Sequence, residues 1–95
     1  MVIGCIRMRL LLHGCFSLKE KRRILKKIVS LTKNQYNVAV AEIGDNNLWQ
    51  SAEIGLVTVS NDRRHLNSVV DHILNYIDRL NLAEIAADDF ELIDY

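Results

Sequence analysis

The pattern of hydrophobic and polar positions begins with the alternation of a β-strand over residues 2–12. Successive side chains of a strand point to opposite faces, so one face of this segment collects large aliphatic residues. These residues are Ile6, Met8, Leu10 and Leu12. The other face carries Arg7 and Arg9. This mixture predicts a central strand with one partly open face.

A helical pattern follows and extends to about Lys33. It begins with a capping box, in which the Ser17 hydroxyl accepts from the amide three residues on and Glu20 reaches back to the amide of Ser17. One stripe of the helix is apolar and consists of Leu18, Ile24, Leu25, Ile28, Val29 and Leu31. The opposite face is basic and consists of Lys19, Arg22, Arg23, Lys26, Lys27 and Lys33. Lys21 departs from this division, because it projects toward the apolar side of the first turn.

The second half of the chain predicts a hairpin, a helix and a last strand. Residues 38–43 and 51–59 read as two strands, and the turn residues of 44–47 between them favour an antiparallel hairpin. Residues 60–80 predict a second helix that starts with the N-cap candidates Ser, Asn and Asp. Residues 90–95 alternate well enough to form a last strand.

The order strand, helix, strand, strand, helix, strand predicts an α+β fold. Two right-handed crossovers place both helices on one face of a four-stranded antiparallel sheet, which is the ferredoxin-like βαββαβ sandwich. The first and third strands then form the centre of the sheet, in agreement with their greater apolar content. The length of 95 residues allows one domain, residues 1–95.

Composition adds an uneven distribution of charge. The chain is 49% hydrophobic and 25% charged, with a net charge of zero. Residues 1–33 carry nine basic groups and one acid, a net of +8, and residues 34–95 carry three basic groups and eleven acids, a net of −8. Such a split is a hint of an anionic partner. The alternative is that the two halves neutralise each other across one fold.

The same composition excludes several other classes of protein. No stretch approaches the roughly 18 apolar residues of a membrane span. The two cysteines, Cys5 and Cys15, have neither zinc-site nor disulfide-scaffold spacing, and no secretory signal is evident. We therefore expect a cytoplasmic protein without a membrane partner.

The basic helix face is the strongest candidate site. Its cations outnumber the acids of the helix, and like charges such as Arg22 and Lys26 at i,i+4 spacing repel each other. Positive potential of this kind suits a phosphate backbone. The predicted contact residues are Lys19, Lys21, Arg22, Arg23, Lys26 and Lys27. The alternative is a solvated face that the acids of the second half balance.

A second candidate is an interface formed by Trp49, Arg7 and Arg9. Trp49 sits beside a loop, where we expect it to pack against a helix end; if exposed, it would anchor an interface. Arg7 and Arg9 should lie on the sheet face away from the helices, where cross-strand pairing with Glu53 and Glu91 is expected. A two-fold interface on this face is the alternative, since Val57, Val59 and Leu11 there need cover.

No catalytic, cofactor or metal constellation is visible in the sequence. Pairing of Cys15 with His13 or His65 would supply a nucleophile at a helix start, but no third group is placed to orient the base. His65 and His72 are seven residues apart, too far to share a metal in the i,i+4 manner. The expectation is a protein that is not an enzyme and binds no cofactor.

Four blocks of sequence, in order, resemble the bacterial YlxP-like family, which is catalogued as a domain of unknown function. The blocks are Ser17-Leu18-Lys19-Glu20-Lys21-Arg22-Arg23, Asn37 to Glu42, Leu48-Trp49-Gln50 with Ala52 and Ile54-Gly55, and Val59 to Asp62 with His65. The resemblance covers nearly the whole chain and implies a ferredoxin-like cytoplasmic protein. The family's genes often neighbour genes of translation initiation and ribosome maturation, which suggests ribosomal RNA or ribosome-associated factors as partners.

The leading functional hypothesis is therefore a non-enzymatic module that binds RNA or ribosomes through its basic first helix. The alternative is a protein-interaction or homodimerisation module with no nucleic-acid role, anchored by Trp49 and the open sheet face.

Overall fold

Six elements follow one another in the computed structural model, which describes residues 1–95. They are β1 (Val2–Leu11), α1 (Leu18–Gln35), β2 (Ala39–Gly44), β3 (Ser51–Ser60), α2 (Arg63–Arg79) and β4 (Glu84–Asp94). This order confirms the predicted α+β, ferredoxin-like arrangement. The first five elements agree with their predicted bounds to within about three residues, but β4 begins six residues before the predicted position 90.

The sheet is antiparallel with the strand order β2-β3-β1-β4, so β1 and β3 are central, as predicted. A β-bulge between Arg9 and Leu10 shifts the register of β4 against β1. Beyond it, Leu10 pairs with Ile85 and Leu11 pairs with Glu84. A bulge interrupts the simple two-residue alternation of a strand, which explains why the sequence pattern alone missed the first half of β4.

The core lies between one face of the sheet and the two helices. The predicted inward residues of β1 are buried, and they meet Ile54 and Leu56 of β3. The helices close this layer with the buried side chains Leu25, Ile28, Val70, Ile73 and Ile77. Packing at the far end of α1 is fixed by two tyrosines, Tyr36 and Tyr76, whose rings meet edge to face at 5.6 Å. Neither helix combines the length and the hydropathy that a membrane span requires.

The start of each helix is fixed by a side-chain cap. Ser17 Oγ accepts from the Glu20 amide at 3.1 Å, as predicted, and Asp62 Oδ1 accepts from the His65 amide at 3.1 Å. The second half of the expected capping box differs. Glu20 Oε2 accepts from the amide of Phe16, at 3.4 Å, and not from that of Ser17. The carboxylate therefore ties the loop before α1 to the helix and fixes the chain at Phe16.

Replacement of the cap should weaken the fold by a small, measurable amount. We expect Ser17→Ala to lower the free energy of unfolding by about 1 kcal/mol, because the Glu20 amide loses its acceptor. Urea denaturation followed by circular dichroism measures the change. Ser30→Ala, at an exposed position inside α1, is the matched control, and an equal loss in both variants would contradict the cap assignment.

Candidate functional site

One lysine of the first helix points into the protein. The Lys21 side chain is 1% exposed, and its ammonium Nζ lies 2.9 Å from Glu42 Oε2 of β2. The same ammonium donates a hydrogen bond of 2.6 Å to the backbone carbonyl of Asp45. Glu42 Oε2 is itself buried and receives no well-directed hydrogen bond, so its contact with Lys21 is ionic. Charge pairing is what allows an ammonium to remain in such a site.

The contacts of Asp45 turn this ion pair into an anchor for the β2–β3 loop. The carbonyl of Asp45 also accepts from the amide of Leu48, at 3.0 Å, which closes a turn of four residues. Asp45 has a left-handed backbone, with φ 59°. Its carboxylate accepts from Ser51 Oγ at 2.8 Å. Lys21 therefore ties the first turn of α1 to the turn that presents Leu48 and Trp49.

Leu48 and Trp49 form one wall of a cleft at the end of the sheet. The loop before α1 forms the other wall, and the cleft has a volume of about 900 Å³. Three large apolar side chains stand open to solvent here: Phe16 is 68% exposed, Leu48 is 51% exposed and Trp49 is 50% exposed. At its rim, His13 Nε2 lies 2.7 Å from Glu84 Oε2. The expectation that Trp49 packs against a helix end is wrong, because half of its side chain is exposed.

The basic face of α1 begins directly after this cleft, since Phe16 precedes the N-cap Ser17. All of its cationic side chains are exposed, and none has a carboxylate within 4 Å. They are Lys19, Arg22, Arg23, Lys26, Lys27 and Lys33. A surface depression of about 520 Å³ lies among the first four of them, together with Ser17 and Glu20. Lys21 does not belong to this face, so its assignment as a phosphate contact is corrected: the buried ammonium has no free surface.

Strand β1 shows how far the two halves of the chain neutralise each other. Arg7 Nε lies 3.3 Å from Glu53, as predicted. Arg9 pairs differently: its Nε is 3.4 Å from Ser51 Oγ and 3.9 Å from Asp45 Oδ2. The expected pairing with Glu91 is absent, because Glu91 stands opposite Cys5 in the register. Three of the nine basic groups in residues 1–33 are thus matched, and the face of α1 is not.

The remaining reactive side chains do not assemble into a catalytic group. The Cys15 thiol is buried and donates to the carbonyl of Ser17 at 3.5 Å. His13 is engaged with Glu84, and His65 lies at the start of α2, so neither forms the base that the Cys15 hypothesis requires. No cluster of three or more His, Cys, Asp or Glu side chains has the arrangement of a metal site.

The family model described as "Protein of unknown function (DUF503)" matches residues 3–89. The chain belongs to the DUF503 family. It is also 34% identical over 77 residues to the uncharacterized protein YlxP of Bacillus subtilis (strain 168), an alignment that covers 81% of this chain and 84% of YlxP. Both matches confirm the YlxP-like resemblance. Three of the residues that carry the resemblance lie together in this DUF503 protein. Lys21 and Glu42 form the buried ion pair, and Trp49 lies in the loop that this pair anchors.

Solved structures share the fold of this DUF503 protein at low sequence identity. The de novo designed protein Foldit4 matches with a TM-score of 0.51 and 20% identity, over 99% of this chain and 97% of its own. The protein YjcS matches with a TM-score of 0.55 and 10% identity, over 97% of this chain and 99% of its own. SnoaB, a cofactor-independent oxygenase from Streptomyces nogalater, matches with a TM-score of 0.50 and 12% identity, over 99% of this chain and 92% of its own. At these identities the likeness concerns the fold alone.

Removal of the buried ammonium should cost far more than removal of an exposed one. We expect Lys21→Met to lower the free energy of unfolding by about 2 to 3 kcal/mol, because Glu42 is left without its counter-charge. The Glu42 side chain is 24% exposed, so water offsets part of the full penalty. The double variant Lys21→Met/Glu42→Met should recover most of the loss, since no charge then remains inside.

Lys26→Met on the exposed face of the same helix is the control and should change the free energy of unfolding by less than about 0.5 kcal/mol. Urea denaturation of the four proteins measures the difference. Equal effects at positions 21 and 26 would show that the ion pair does not hold the loop.

Proposed function

We propose that this DUF503 protein binds single-stranded RNA, with phosphates on the basic face of α1 and an unpaired base in the adjoining cleft. The observation that carries the proposal is the row of exposed cations without carboxylate partners that starts beside three exposed apolar side chains. Cations of this kind contact phosphates without regard to sequence. Aromatic rings next to them offer a surface on which a base stacks.

The position of the cations supports a backbone-binding role. Arg22 and Lys26, and likewise Arg23 and Lys27, stand four residues apart on one exposed helix face, where like charges destabilise a helix by a few tenths of a kcal/mol per pair. A polyanion along the helix removes this repulsion. The rest of the fold does not, since no carboxylate lies within 4 Å of any of these four cations.

The cleft supports a preference for unpaired nucleotides. Phe16 and Trp49 line the same cleft and are both at least half exposed, although burial of such side chains would stabilise the fold. The bases of a duplex are stacked on each other and unavailable, whereas a single strand can turn a base outward. Ribosomal RNA, with its many loops, is the proposed class of ligand, and the cytoplasm is the proposed compartment.

The backbone contribution is tested by removal of two arginines. Arg22→Gln/Arg23→Gln should weaken binding of a single-stranded RNA oligonucleotide about tenfold at low salt. It should also reduce the slope of log K against log salt by about 1.4, since each phosphate contact on a single strand contributes about 0.7. Fluorescence anisotropy of the labelled oligonucleotide, measured across a salt series, gives both values.

The matched control removes the same charge from the other helix. Arg64→Gln/Arg79→Gln replaces two exposed arginines of α2 and should leave affinity and slope close to those of the wild type. An equal loss in both double variants would mean that only net charge matters and would contradict the α1 assignment. Wild-type protein that does not bind RNA at low salt would end the proposal.

The base contact is tested through the single tryptophan. Trp49 fluorescence should be quenched by single-stranded RNA and not by a duplex or by inorganic polyphosphate, because only the single strand offers a base to the cleft.

Phe16→Ala should weaken single-strand binding by about 1 to 3 kcal/mol and leave duplex binding unchanged. Tyr95→Ala, at an exposed aromatic residue beyond the opposite end of β1, is the control. Equal quenching by polyphosphate would contradict base stacking and leave only backbone contact.

A further inference from the structure

The face of the sheet that the helices do not cover is divided into an apolar half and a charged half. Residues that stand opposite each other on neighbouring strands show the apolar half near the chain termini. Val59, Ile3 and Ile93 form one row, and Val57 and Cys5 lie in the next, where Glu91 of β4 marks the border with the charged half. Of these, Val57, Val59 and Ile93 are exposed. A sheet with one solvated face normally carries polar residues there, so this half resembles a surface that is covered.

The charged half of this open face carries both signs. Arg7 stands between Gly55 and Asp89 in the register, and its side chain is 68% exposed although its Nε lies 3.3 Å from Glu53 Oε1. Asp89 and Glu91 of β4 have no basic partner within 4 Å. One surface therefore holds exposed guanidinium groups beside unmatched carboxylates. A surface with this property is complementary to itself, which is the requirement of a two-fold interface.

The shape and size of the open face also suit a flat partner. A depression of about 310 Å³ lies near its centre, lined by residues that include Cys5, Arg7, Ile43 and Gly55. Gly55 adds no side chain to this depression, and a Cβ there would lie 3.1 Å from Ile43 Cγ2. Four strands about 4.8 Å apart and about 3.3 Å long per residue give a face of roughly 600 Å². Two such faces would bury roughly 1,200 Å², the lower end of the range for stable interfaces.

The edges of the sheet are less suited to a second copy. The β4 edge carries five acids, Glu84, Asp88, Asp89, Glu91 and Asp94, which would repel the same strand of another chain. The β2 edge is six residues long, and its pairing is irregular between Glu42 and Gly44. Charged, short or bulged edges are the usual means of preventing edge-to-edge pairing.

From these observations we infer that the open sheet face is the interface of a homodimer, formed with the same face of a second copy of the chain. The apolar halves pack on each other, an aliphatic side chain of each copy enters the central depression of the other, and the acids of β4 meet the arginines of β1. The helices lie on the other side of the sheet, so this contact leaves the basic face of α1 free. The inference is independent of the proposed RNA binding.

Mass measurement by light scattering after size exclusion tests the inference. The wild type should have a mass of about 22 kDa, twice the 10.9 kDa of the chain, and Val57→Lys/Val59→Lys should halve it. Both valines are exposed in the protomer, so a lysine is compatible with the fold, which circular dichroism verifies. Ser68→Lys/Asn75→Lys adds the same charge to the exposed surface of α2 and should remain dimeric.

A second measurement needs no variant. Cys5 is the only cysteine with an accessible side chain, since Cys15 is buried, and the interface covers it. Its reaction with a maleimide should be slow in concentrated wild-type protein and accelerate on dilution. A wild type that stays at 10.9 kDa with Cys5 reactive at every concentration would overturn the inference. So would a lysine double variant that remains dimeric, because the contact would then lie elsewhere.

Discussion

The ammonium of Lys21 is the constraint on which the candidate site depends. A cation in the interior is unfavourable unless opposite charge and hydrogen-bond acceptors meet it. Here Glu42 supplies the charge and the carbonyl of Asp45 supplies the acceptor. Because the three groups come from α1, β2 and the following turn, they can pair only when the helix, the strand and the turn are correctly placed relative to one another. The position of the exposed Trp49 is a consequence of that placement.

The topology of the sheet explains why the charges of the chain stay apart although their sum is zero. Helix α1 packs near β2, at one edge of the sheet, and α2 packs against β1 and β4. The acids of β4 lie at the opposite edge, with the two strands β3 and β1 between β4 and β2. Among the basic groups of residues 1–33, only Arg7 and Arg9 of β1 and the buried Lys21 lie within 4 Å of a carboxylate. The uneven distribution of charge along the sequence thus becomes an uneven distribution of charge over the surface, with the basic side on α1.

The sequence carries most of the fold because the fold depends on local patterns. Alternation identifies β1 and β3, helical periodicity identifies α1 and α2, and the crossover rule orders the strands. The same periodicity indicates the inward direction of Lys21. Patterns fail where a feature depends on contacts between distant segments. The start of β4 depends on a bulge that is defined only by its pairing with β1, and the exposure of Trp49 depends on how the loop is held.

The partners of Lys21 could not be predicted for the same reason. Glu42 follows Lys21 by 21 positions and Asp45 follows it by 24. No rule of sequence spacing connects residues so far apart to the first turn of a helix. Phe16 and Leu48 were also missed as parts of the cleft. The one available signal was their large apolar character at predicted breaks, where a side chain has little surrounding structure to cover it. That signal becomes meaningful only after the turn at Asp45 has been located.

The two faces of the sheet place the two proposed contacts on opposite sides of the molecule, and this separation has a consequence for RNA binding. In a homodimer formed through the open faces, the two α1 helices point away from each other, with two sheets between them. A short single strand then reaches one basic face only, and the two sites act independently. A longer RNA that wraps around the dimer reaches both, and the second contact becomes intramolecular, which raises the apparent affinity without any new type of contact. Length dependence of affinity in the dimer, and its loss in the monomeric variant, would therefore be a property of the assembly and not of either site alone.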